Sequence, residues 1–538
     1  MLNKKMVTRF LILLLLQVLI PCSAFPNLET GKDTIAIRYG NTITSKDIKA
    51  HLTILASDEY EGRETGEEGQ KRAAKYISKH FSSVGIPPYL DSVINDSSGY
   101  YQKFPLVVQS PYGATISSDQ KTYEFIDDFF FFSGFEDFAM DVKELILLGY
   151  GIESEEYNDY AEVDVKDKWI LFLSGEPLDK KGNSLITGTK DLSEWSTNWR
   201  KKRNIAKEKE VAGMFIISQN YEDLLNSYRH YIEKPSVKLI SSEKDEKLPR
   251  FYLSIELSNK ILEATAKGVT VESIIKRISK KRKPYTELIS SDFKINIERD
   301  RTEIESENVL GYIEGTDKKD ELIVITAHYD HLGIDGDVVY NGADDDGSGT
   351  VALLELAEAF AMAKADGYGT RRSILIMPVS GEEKGLLGSK YYTSNPVYPL
   401  DNTVANLNID MIGRIDTIHK GNPNYVYLIG ADRLSQELHD VSERANTEYI
   451  NLELDYRFND EDDPNRFYYR SDHYNFAKKN VPVIFYFNGV HEDYHQPTDT
   501  VDKIDFDKME KITRLIYFTA WELANMENRI KMIEDPKE

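Results

Sequence analysis

The stretch that decides the fold is LIVITAHYDHLG, residues 322–333. Its first five residues are apolar or β-branched and show no polar alternation, which is typical of a strand covered on both faces. Two chemically reactive side chains, His328 and Asp330, follow directly. Open α/β sheets build their sites from loops at the carboxyl ends of such strands. The stretch therefore predicts a buried strand that leads into a functional loop.

The same arrangement recurs along the chain. Further apolar runs precede polar residues at 373–379 before Glu382, at 404–409 before Asp410, and at 481–487 before His495. An Ala- and Leu-rich segment at 350–365 predicts a buried helix that begins after a glycine loop. Repeated strand, loop and helix predict an α/β fold in which helices sandwich a mixed, mainly parallel sheet.

Five potential metal ligands lie in these loops: His328, Asp345, Glu383, Asp410 and His495. Two imidazoles and three carboxylates suit zinc, manganese or cobalt and match copper(I) or iron–sulfur chemistry poorly. Three carboxylates suggest two cations, because closely spaced divalent ions need anionic ligands. Such a centre would acidify a bound water. Glu382 directly precedes the ligand candidate Glu383 and is the candidate base that takes the water proton.

Five sequence blocks carry a family resemblance: AHYDHLG (327–333), NGADDDGSG (341–349), SGEEKGLLGS (380–389), NIDMIGR (408–414) and YHQPTDT (494–500). In this order they resemble the motif blocks of the co-catalytic di-zinc aminopeptidases, which include bacterial leucyl aminopeptidases and glutamate carboxypeptidase. Each block alone is weak evidence, whereas all five in series are specific. The resemblance implies a zinc exopeptidase-like fold and a metallopeptidase activity.

The resemblance also implies how the ligands divide between two Zn²⁺ ions per chain, for which Mn²⁺ or Co²⁺ are possible substitutes. It places His328 and Asp410 on one ion. It places Glu383 and His495 on the other. Asp345, the central residue of the Asp-Asp-Asp run, would bridge both ions.

Two further roles follow from the resemblance. Glu382 matches the general base, and Asp330 matches the carboxylate that fixes the His328 ring. Other histidines near the blocks are read as structural residues, because an isolated histidine is more often hydrogen-bonded or packed than metal-bound; they include His331, His473 and His491.

The amino-terminal segment predicts export. Basic residues precede an apolar run at 10–20, and small residues follow as far as Ala24, which is the pattern of a secretory signal peptide over residues 1–24. An alternative is a lipoprotein anchored through Cys22, although Pro21 departs from the small residue usual before such a cysteine. We expect a secreted or periplasmic protein. No later segment reaches about 18 apolar residues in a row, so no stable transmembrane anchor is expected.

The overall charge limits the partners. Lysine and arginine number 66 against 90 aspartates and glutamates, a formal net charge of −24. Such a balance repels nucleic acid, so the expected partners are peptide substrates with a free N-terminus and no nucleic acid. At 538 residues the chain is too long for a single typical domain.

The extra length lies inside the peptidase region. Residues 52–105 resemble the start of the di-zinc peptidase domain, but the motif strands resume only after about residue 285. Within the gap, residues 147–177 resemble the core of a protease-associated domain, a β-rich inserted module. We predict a discontinuous catalytic domain, 25–107 and 285–530, and an inserted domain over 108–284. The insert could cover the cleft or bind a protein partner, which the sequence does not identify.

An aminopeptidase is the reading that the motifs favour, and three alternatives remain. A carboxypeptidase or dipeptidase of the same fold would need a cation for a terminal carboxylate, and Arg414 and Arg470 are candidates. A glutaminyl cyclase on a similar scaffold is expected to keep one zinc. A binding protein on a peptidase scaffold is expected to have lost ligands, whereas this chain keeps a suitable residue at every position.

Overall fold

The computed structural model describes residues 32–89, 97–118, 121–132, 135–240, 248–265 and 267–534. The predicted signal peptide, with Cys22, lies outside the described residues. Among the helices in these ranges, none combines the length and the apolar composition needed to cross a bilayer.

The helices fall into an amino-terminal group, a middle group and a carboxyl-terminal group. They are α1 (Thr34–Gly40), α2 (Ser45–Leu55), α3 (Glu68–Ser83), α4 (Glu194–Thr197), α5 (Trp199–Glu208), α6 (Tyr221–Ile232), α7 (Ile255–Leu262), α8 (Val271–Lys281), α9 (Gly349–Ala365), α10 (Leu387–Ser394), α11 (Gln436–Ala445), α12 (His473–Ala477) and α13 (Phe506–Asn525).

The strands of the first half precede the motif region. They are β1 (Tyr101–Gln109), β2 (Ala114–Ser117), β3 (Thr122–Glu124), β4 (Phe129–Phe130), β5 (Phe138–Leu148), β6 (Trp169–Leu173), β7 (Gly213–Ile217), β8 (Ser236–Leu239), β9 (Arg250–Leu253), β10 (Thr286–Ile297) and β11 (Arg301–Val309). The remaining strands are β12 (Gly311–Ile313), β13 (Lys318–His328), β14 (Gly333–Asp335), β15 (Val338–Tyr340), β16 (Arg372–Val379), β17 (Thr403–Ile409), β18 (Tyr425–Ile429), β19 (Glu453–Asp455) and β20 (Val483–Phe487).

A seven-stranded sheet carries the motif region, in the order β12-β16-β13-β17-β20-β18-β19. Its four central strands run parallel, while β12 and β18 pair antiparallel with their inner neighbours. Successive side chains of β13 point to opposite faces. Ile323 packs in the apolar cluster that contains α9 and α13, and Val324 packs in the one that contains Tyr392 and Phe476. The predicted mixed, mainly parallel sheet between helices is confirmed.

The region between the two parts of the predicted catalytic domain is rich in β-structure. An eight-stranded sheet has the order β3-β2-β10-β5-β6-β7-β9-β4 and its own aromatic core, which includes Trp169, Phe215 and Phe251. Strand β10 pairs with β5 over most of its length, so the sheet extends beyond residue 284, where we placed the end of the insert. Strands β1 and β11 pair antiparallel in a separate three-stranded sheet with β8. The domain division and the likeness to a protease-associated domain stay predictions.

The parallel strands position the predicted ligands. His328 ends β13, and Asp410 follows β17 directly. Glu383 lies four residues beyond the end of β16, and His495 lies eight residues beyond the end of β20. Because the carboxyl ends of parallel strands meet at one edge of a sheet, these loops converge.

Candidate metal centre

The first cluster of ligands lies at the carboxyl end of β13. Nε2 of His328 is 3.3 Å from Oδ1 of Asp345 and 3.7 Å from Oδ1 of Asp410. The second carboxylate oxygen of Asp410 accepts a hydrogen bond of 2.7 Å from the Ser471 hydroxyl, which fixes its orientation. These three predicted ligands therefore surround one point, with all three residues buried.

The second cluster uses the other oxygen of Asp345. Nε2 of His495 lies 3.0 Å from Oδ2 of Asp345 and 3.3 Å from Oε2 of Glu383. The side chain of His331, which the sequence predicts to be a structural residue, also lies in this cluster. Nδ1 of His331 lies 2.9 Å from Oε1 of Glu383 and 3.9 Å from Oδ2 of Asp345. The one available signal was its spacing, three residues after His328 in the same loop.

Hydrogen bonds from the backbone hold the Asp345 loop in place. The amides of Asp344 and Asp345 both donate to the carboxylate of Asp499, at distances from 2.9 to 3.1 Å. The Asp346 carboxylate accepts from the amide of Gly349 at the start of α9 (2.8 Å) and from that of His328 (3.1 Å). The peptide bond between Asp345 and Asp346 is cis. Asp346 thus acts at a helix start, as its sequence position predicts.

Several buried polar atoms at the centre lack hydrogen-bond partners among the described residues. They are Nε2 of His328, Nδ1 of His331, Oδ2 of Asp345 and Oε1 of Glu383. Buried polar atoms are normally satisfied, and buried carboxylates need a compensating charge. Imidazole nitrogens and carboxylate oxygens in this arrangement are a donor set for divalent cations such as zinc. The residues therefore fit a divalent metal such as zinc, and Asp345 contributes an oxygen to each of the two clusters.

The nearby charges set the protonation of the histidines. Burial opposes the charged form of His495, but the adjacent carboxylates of Asp345 and Glu383 outweigh it and raise the His495 pKa to about 10. Burial likewise opposes the charged form of His328, and the carboxylates of Glu382 and Asp410 outweigh it, so the His328 pKa is raised. The centre is thus strongly electronegative and favours positive charge.

Glu382 lies beside the first cluster, where a base would be needed. Its carboxylate is 3.9 Å from Nε2 of His328 and lines the same cleft as Asp345 and Asp410. Burial is the largest influence on Glu382 and raises its pKa well above the ordinary value for glutamate. A glutamate whose pKa lies well above its usual range is a stronger base than an exposed glutamate and is suited to accept a proton from water.

Asp330 supports the centre through different atoms from those we expected. Its carboxylate lies 3.8 Å from Nδ1 of His328, beyond hydrogen-bond distance, and the main-chain carbonyl of Asp330 bonds that nitrogen at 3.0 Å. The carboxylate instead accepts from the Thr65 hydroxyl (2.6 Å) and from the amide of Glu382 (3.2 Å).

A cleft opens from the centre toward solvent. Beyond the acidic residues, its walls combine apolar and polar side chains, namely those of Met411, Phe467, Phe485, Phe487, Val490, Tyr494, Arg470 and Ser471. Arg470 lies over the Phe467 ring and forms no ion pair with an acidic side chain of the described residues. Arg414, the other cationic candidate, is held by Asp493 at 3.0 Å.

Comparison with known proteins identifies the class that this fold and site define. Residues 308–520 match the model described as "Peptidase family M28". This region contains all seven predicted catalytic and metal-binding residues. Residues 308–520 are therefore similar to peptidase family M28, and the predicted resemblance to the zinc aminopeptidases is confirmed for this region.

Curated relatives carry aminopeptidase names. A probable leucine aminopeptidase of Arthroderma otae is 31% identical over 214 residues, which is 38% of this chain and 55% of that protein. Aminopeptidase YwaD of Bacillus subtilis is 25% identical over 246 residues, 43% of this chain and 47% of that protein. The chain spans about half the length of the curated relatives it matches.

Among solved structures, an aminopeptidase from Aneurinibacillus sp. strain AM-1 has a TM-score of 0.52 and 16% sequence identity. The similarity covers 94% of this chain and 98% of that one. At this identity the likeness concerns the fold alone. It extends over most of the chain.

Proposed function

We propose that the protein is a zinc-dependent aminopeptidase that hydrolyses the first peptide bond of peptides with a free N-terminus. The observation that carries the proposal is the division of Asp345: its Oδ1 faces His328, and its Oδ2 faces His495. One carboxylate shared between two nitrogen and oxygen clusters is the arrangement that a two-metal hydrolase requires. The aminopeptidase names of the curated relatives support the choice of reaction.

The residues have separate tasks in this proposal. His328 and Asp410 would hold one Zn²⁺, Glu383 and His495 would hold the other, and Asp345 would contact both. When bound, the two ions polarise the peptide carbonyl and acidify water. Ser471 keeps the Asp410 carboxylate in its orientation through the bond described above.

Glu382 would move the proton. Its carboxylate accepts a proton from the attacking water and delivers it to the leaving amide nitrogen, whose bond to the carbonyl carbon then breaks. Burial favours the protonated form of Glu382, which makes its carboxylate a stronger acceptor for the water proton in the first transfer. The amide of Glu382 donates to Asp330, so this bond positions the base relative to the cleft.

The cleft suggests the side chain that the enzyme prefers. Aromatic and aliphatic residues, among them Phe467, Phe485 and Val490, form part of its wall. Apolar pockets favour apolar substrate groups because contact with the wall removes their surface from water. We therefore propose preference for a bulky apolar first residue.

Arg470 favours a second candidate function. An arginine that lines the cleft without an acidic partner in the described part of the chain could receive the terminal carboxylate of a substrate. That arrangement would make the enzyme a carboxypeptidase or dipeptidase of the same fold. Arg470 is exposed at the rim and already donates to the Tyr494 hydroxyl at 3.3 Å, so we rank this function second.

We also propose that residues 1–24 direct export and are removed. The support is the sequence alone, since this segment lies outside the described residues. Mass spectrometry of the protein purified from its native source would test it. A mature N-terminus at residue 25 supports cleavage, whereas an acylated N-terminus at Cys22 would establish the lipoprotein alternative.

One assay separates the functions. The purified protein is incubated with a leucyl peptide, its N-acetylated form and its C-amidated form, with and without a chelator. An aminopeptidase cleaves the free and amidated peptides and loses activity on chelation. Cleavage of the acetylated but not the amidated peptide would establish the carboxypeptidase, and metal analysis that finds one zinc would favour a cyclase-like centre.

A further inference from the structure

His331 is a buried histidine whose ring nitrogens are both without hydrogen bonds among the residues described. Its side chain has no solvent exposure. Nδ1 lies 2.9 Å from Oε1 of Glu383, yet their orientation does not form a hydrogen bond, and each atom is left without a partner. Two unpaired donor atoms that face the same space are typical of ligands to a cation.

The surroundings fix the ring in this position. The His331 amide donates to the carbonyl of Arg63 at 3.2 Å. Gly342 has a φ of +52°, and a Cβ atom there would lie 2.4 Å from Cδ2 of His331. The glycine therefore lets the Asp345 loop pass directly against the imidazole. The ring cannot turn far from the cluster without displacing this backbone.

We propose that Nδ1 of His331 is an additional ligand of the second cation, beside Glu383, His495 and Asp345. The inference rests on the proposed two-metal function and deepens it. The second site then has two imidazoles and two carboxylates, whereas the first site has one imidazole, from His328, and two carboxylates. The distances support the grouping, because the His331 and His495 ring centroids are 6.0 Å apart with Glu383 between their nitrogens.

Because the two sites differ in their number of imidazole ligands, they should differ in metal affinity and fill one after the other. Imidazole suits zinc and cobalt, while carboxylate-rich sites also accept manganese. The second site is therefore expected to take Zn²⁺ first and most tightly. The first site, with its larger share of oxygen ligands, is expected to fill later and to accept Mn²⁺ more readily.

The proposal is tested by measuring metal binding and does not depend on an activity assay. The chelated, metal-free protein is titrated with Zn²⁺ by calorimetry and with Co²⁺ by visible absorption, which reports the number and type of ligands. His331→Phe keeps a ring of similar size but removes both nitrogens. We expect the wild-type protein to bind two ions in separate steps. In His331→Phe the affinity of the tighter step should fall by about 10–100-fold, the size of loss known for residues that only orient a metal ligand.

Two further variants make the result decisive. His331→Asn places an amide oxygen near the position of Nδ1 and should recover part of the metal affinity if the loss in His331→Phe comes from the missing ligand atom. His473→Phe is the matched control, because His473 is equally buried with both nitrogens unbonded but packs against Phe485 and Tyr468 and belongs to neither ligand cluster. It should leave both steps unchanged.

The outcomes separate the two proposals. His331→Phe with both affinities and the Co²⁺ spectrum of wild type would overturn the role of His331 and leave the two-metal function standing. Wild-type protein that binds fewer than two ions would overturn the proposed function itself. Equal losses in His331→Phe and His473→Phe without recovery in His331→Asn would assign the effect to packing and also reject the ligand.

Discussion

Oδ2 of Asp345 lies 3.0 Å from Nε2 of His495, although 150 positions separate the two residues in the chain. The carboxylate of Asp499 helps to create this contact. It accepts from the amide of Asp345 and lies only four residues after His495. The loops that carry the two clusters are thus hydrogen-bonded to each other. The geometry of the shared carboxylate depends on that connection.

The base can be tested by replacing Glu382 with glutamine. The amide cannot accept the water proton, so kcat should fall by about 10²–10⁴-fold. Both metals should remain bound, because Glu382 is outside the proposed ligand set. Steady-state kinetics and metal analysis of the same preparation measure the two effects.

The control for this substitution is Glu492→Gln, whose side chain is 76% exposed on the loop near the centre. It should leave kcat unchanged. A Glu382→Gln enzyme with nearly wild-type kcat would remove Glu382 from the role of base.

The shared ligand can be tested with Asp345→Asn. The substitution removes one negative charge between two cations, so it should weaken the binding of both. The loss of affinity should exceed the about 10–100-fold that is typical when a residue that only orients a metal ligand is lost. Activity should fall in parallel. Equilibrium dialysis against zinc measures the affinities, and the exposed Asp337→Asn is the control. Two tightly held zinc ions in Asp345→Asn would contradict the bridge.

The cleft wall can be tested with Val490→Trp, since Val490 is 37% exposed at the edge of the cleft. The larger ring would fill space that a substrate side chain needs. We expect kcat/KM for leucyl and phenylalanyl substrates to fall about tenfold or more relative to an alanyl substrate, a selectivity typical of apolar pockets. Val338→Trp, at an exposed valine of β15, should not change the ratio. Equal effects on all substrates would show that Val490 does not line the specificity pocket.

Glu355 on α9 gives a prediction for stability against pH. Burial raises its pKa to about 8, although one oxygen accepts from the Thr44 amide at 3.2 Å. Between the unfolded pKa of about 4.3 and pH 8, the unfolded chain loses the Glu355 proton while the folded protein keeps it. Folding stability therefore decreases as pH rises through this window, by at most about 1.4 kcal/mol per pH unit.

Glu355→Gln should remove this dependence. Its free energy of unfolding, measured by denaturant titration, should increase relative to that of wild type as pH rises from 5 to 8. Glu222→Gln, an exposed position on α6, should follow wild type. A constant difference between Glu355→Gln and wild type across this range would refute the raised pKa.

Local sequence was enough to predict the sheet and most of the site. The apolar run before His328 could pack only as a buried strand, and the polar residues after it had to lie at the strand end. The same logic predicted that Glu383 and Asp410 also lie in loops at the strand ends, and the structure places Asp410 near His328 and Glu383 in the neighbouring cluster. Each of these residues follows a strand within a few positions, so its place at the end of that strand can be predicted from the local hydrophobic pattern.

The sequence could not separate His331 from His491, because both are single histidines in motif loops. The structure does separate them. His491 is bonded to Asp344 at 3.2 Å, whereas His331 faces Glu383 with both nitrogens unpaired. Which partner a loop histidine meets depends on how distant loops pack, and no local pattern records it.

The sequence by itself determined the α/β class, the order of the strands that carry the site and the chemical character of the ligand set. Those features depend on hydrophobic patterning and on residue type, which are properties of short segments. Tertiary structure decided that strand β10 joins the sheet of the inserted region, that the Asp330 carbonyl holds His328, and that two clusters divide the oxygens of Asp345. Each of these depends on contacts between segments far apart in the chain, where distances of a few tenths of an ångström decide which atom becomes the partner.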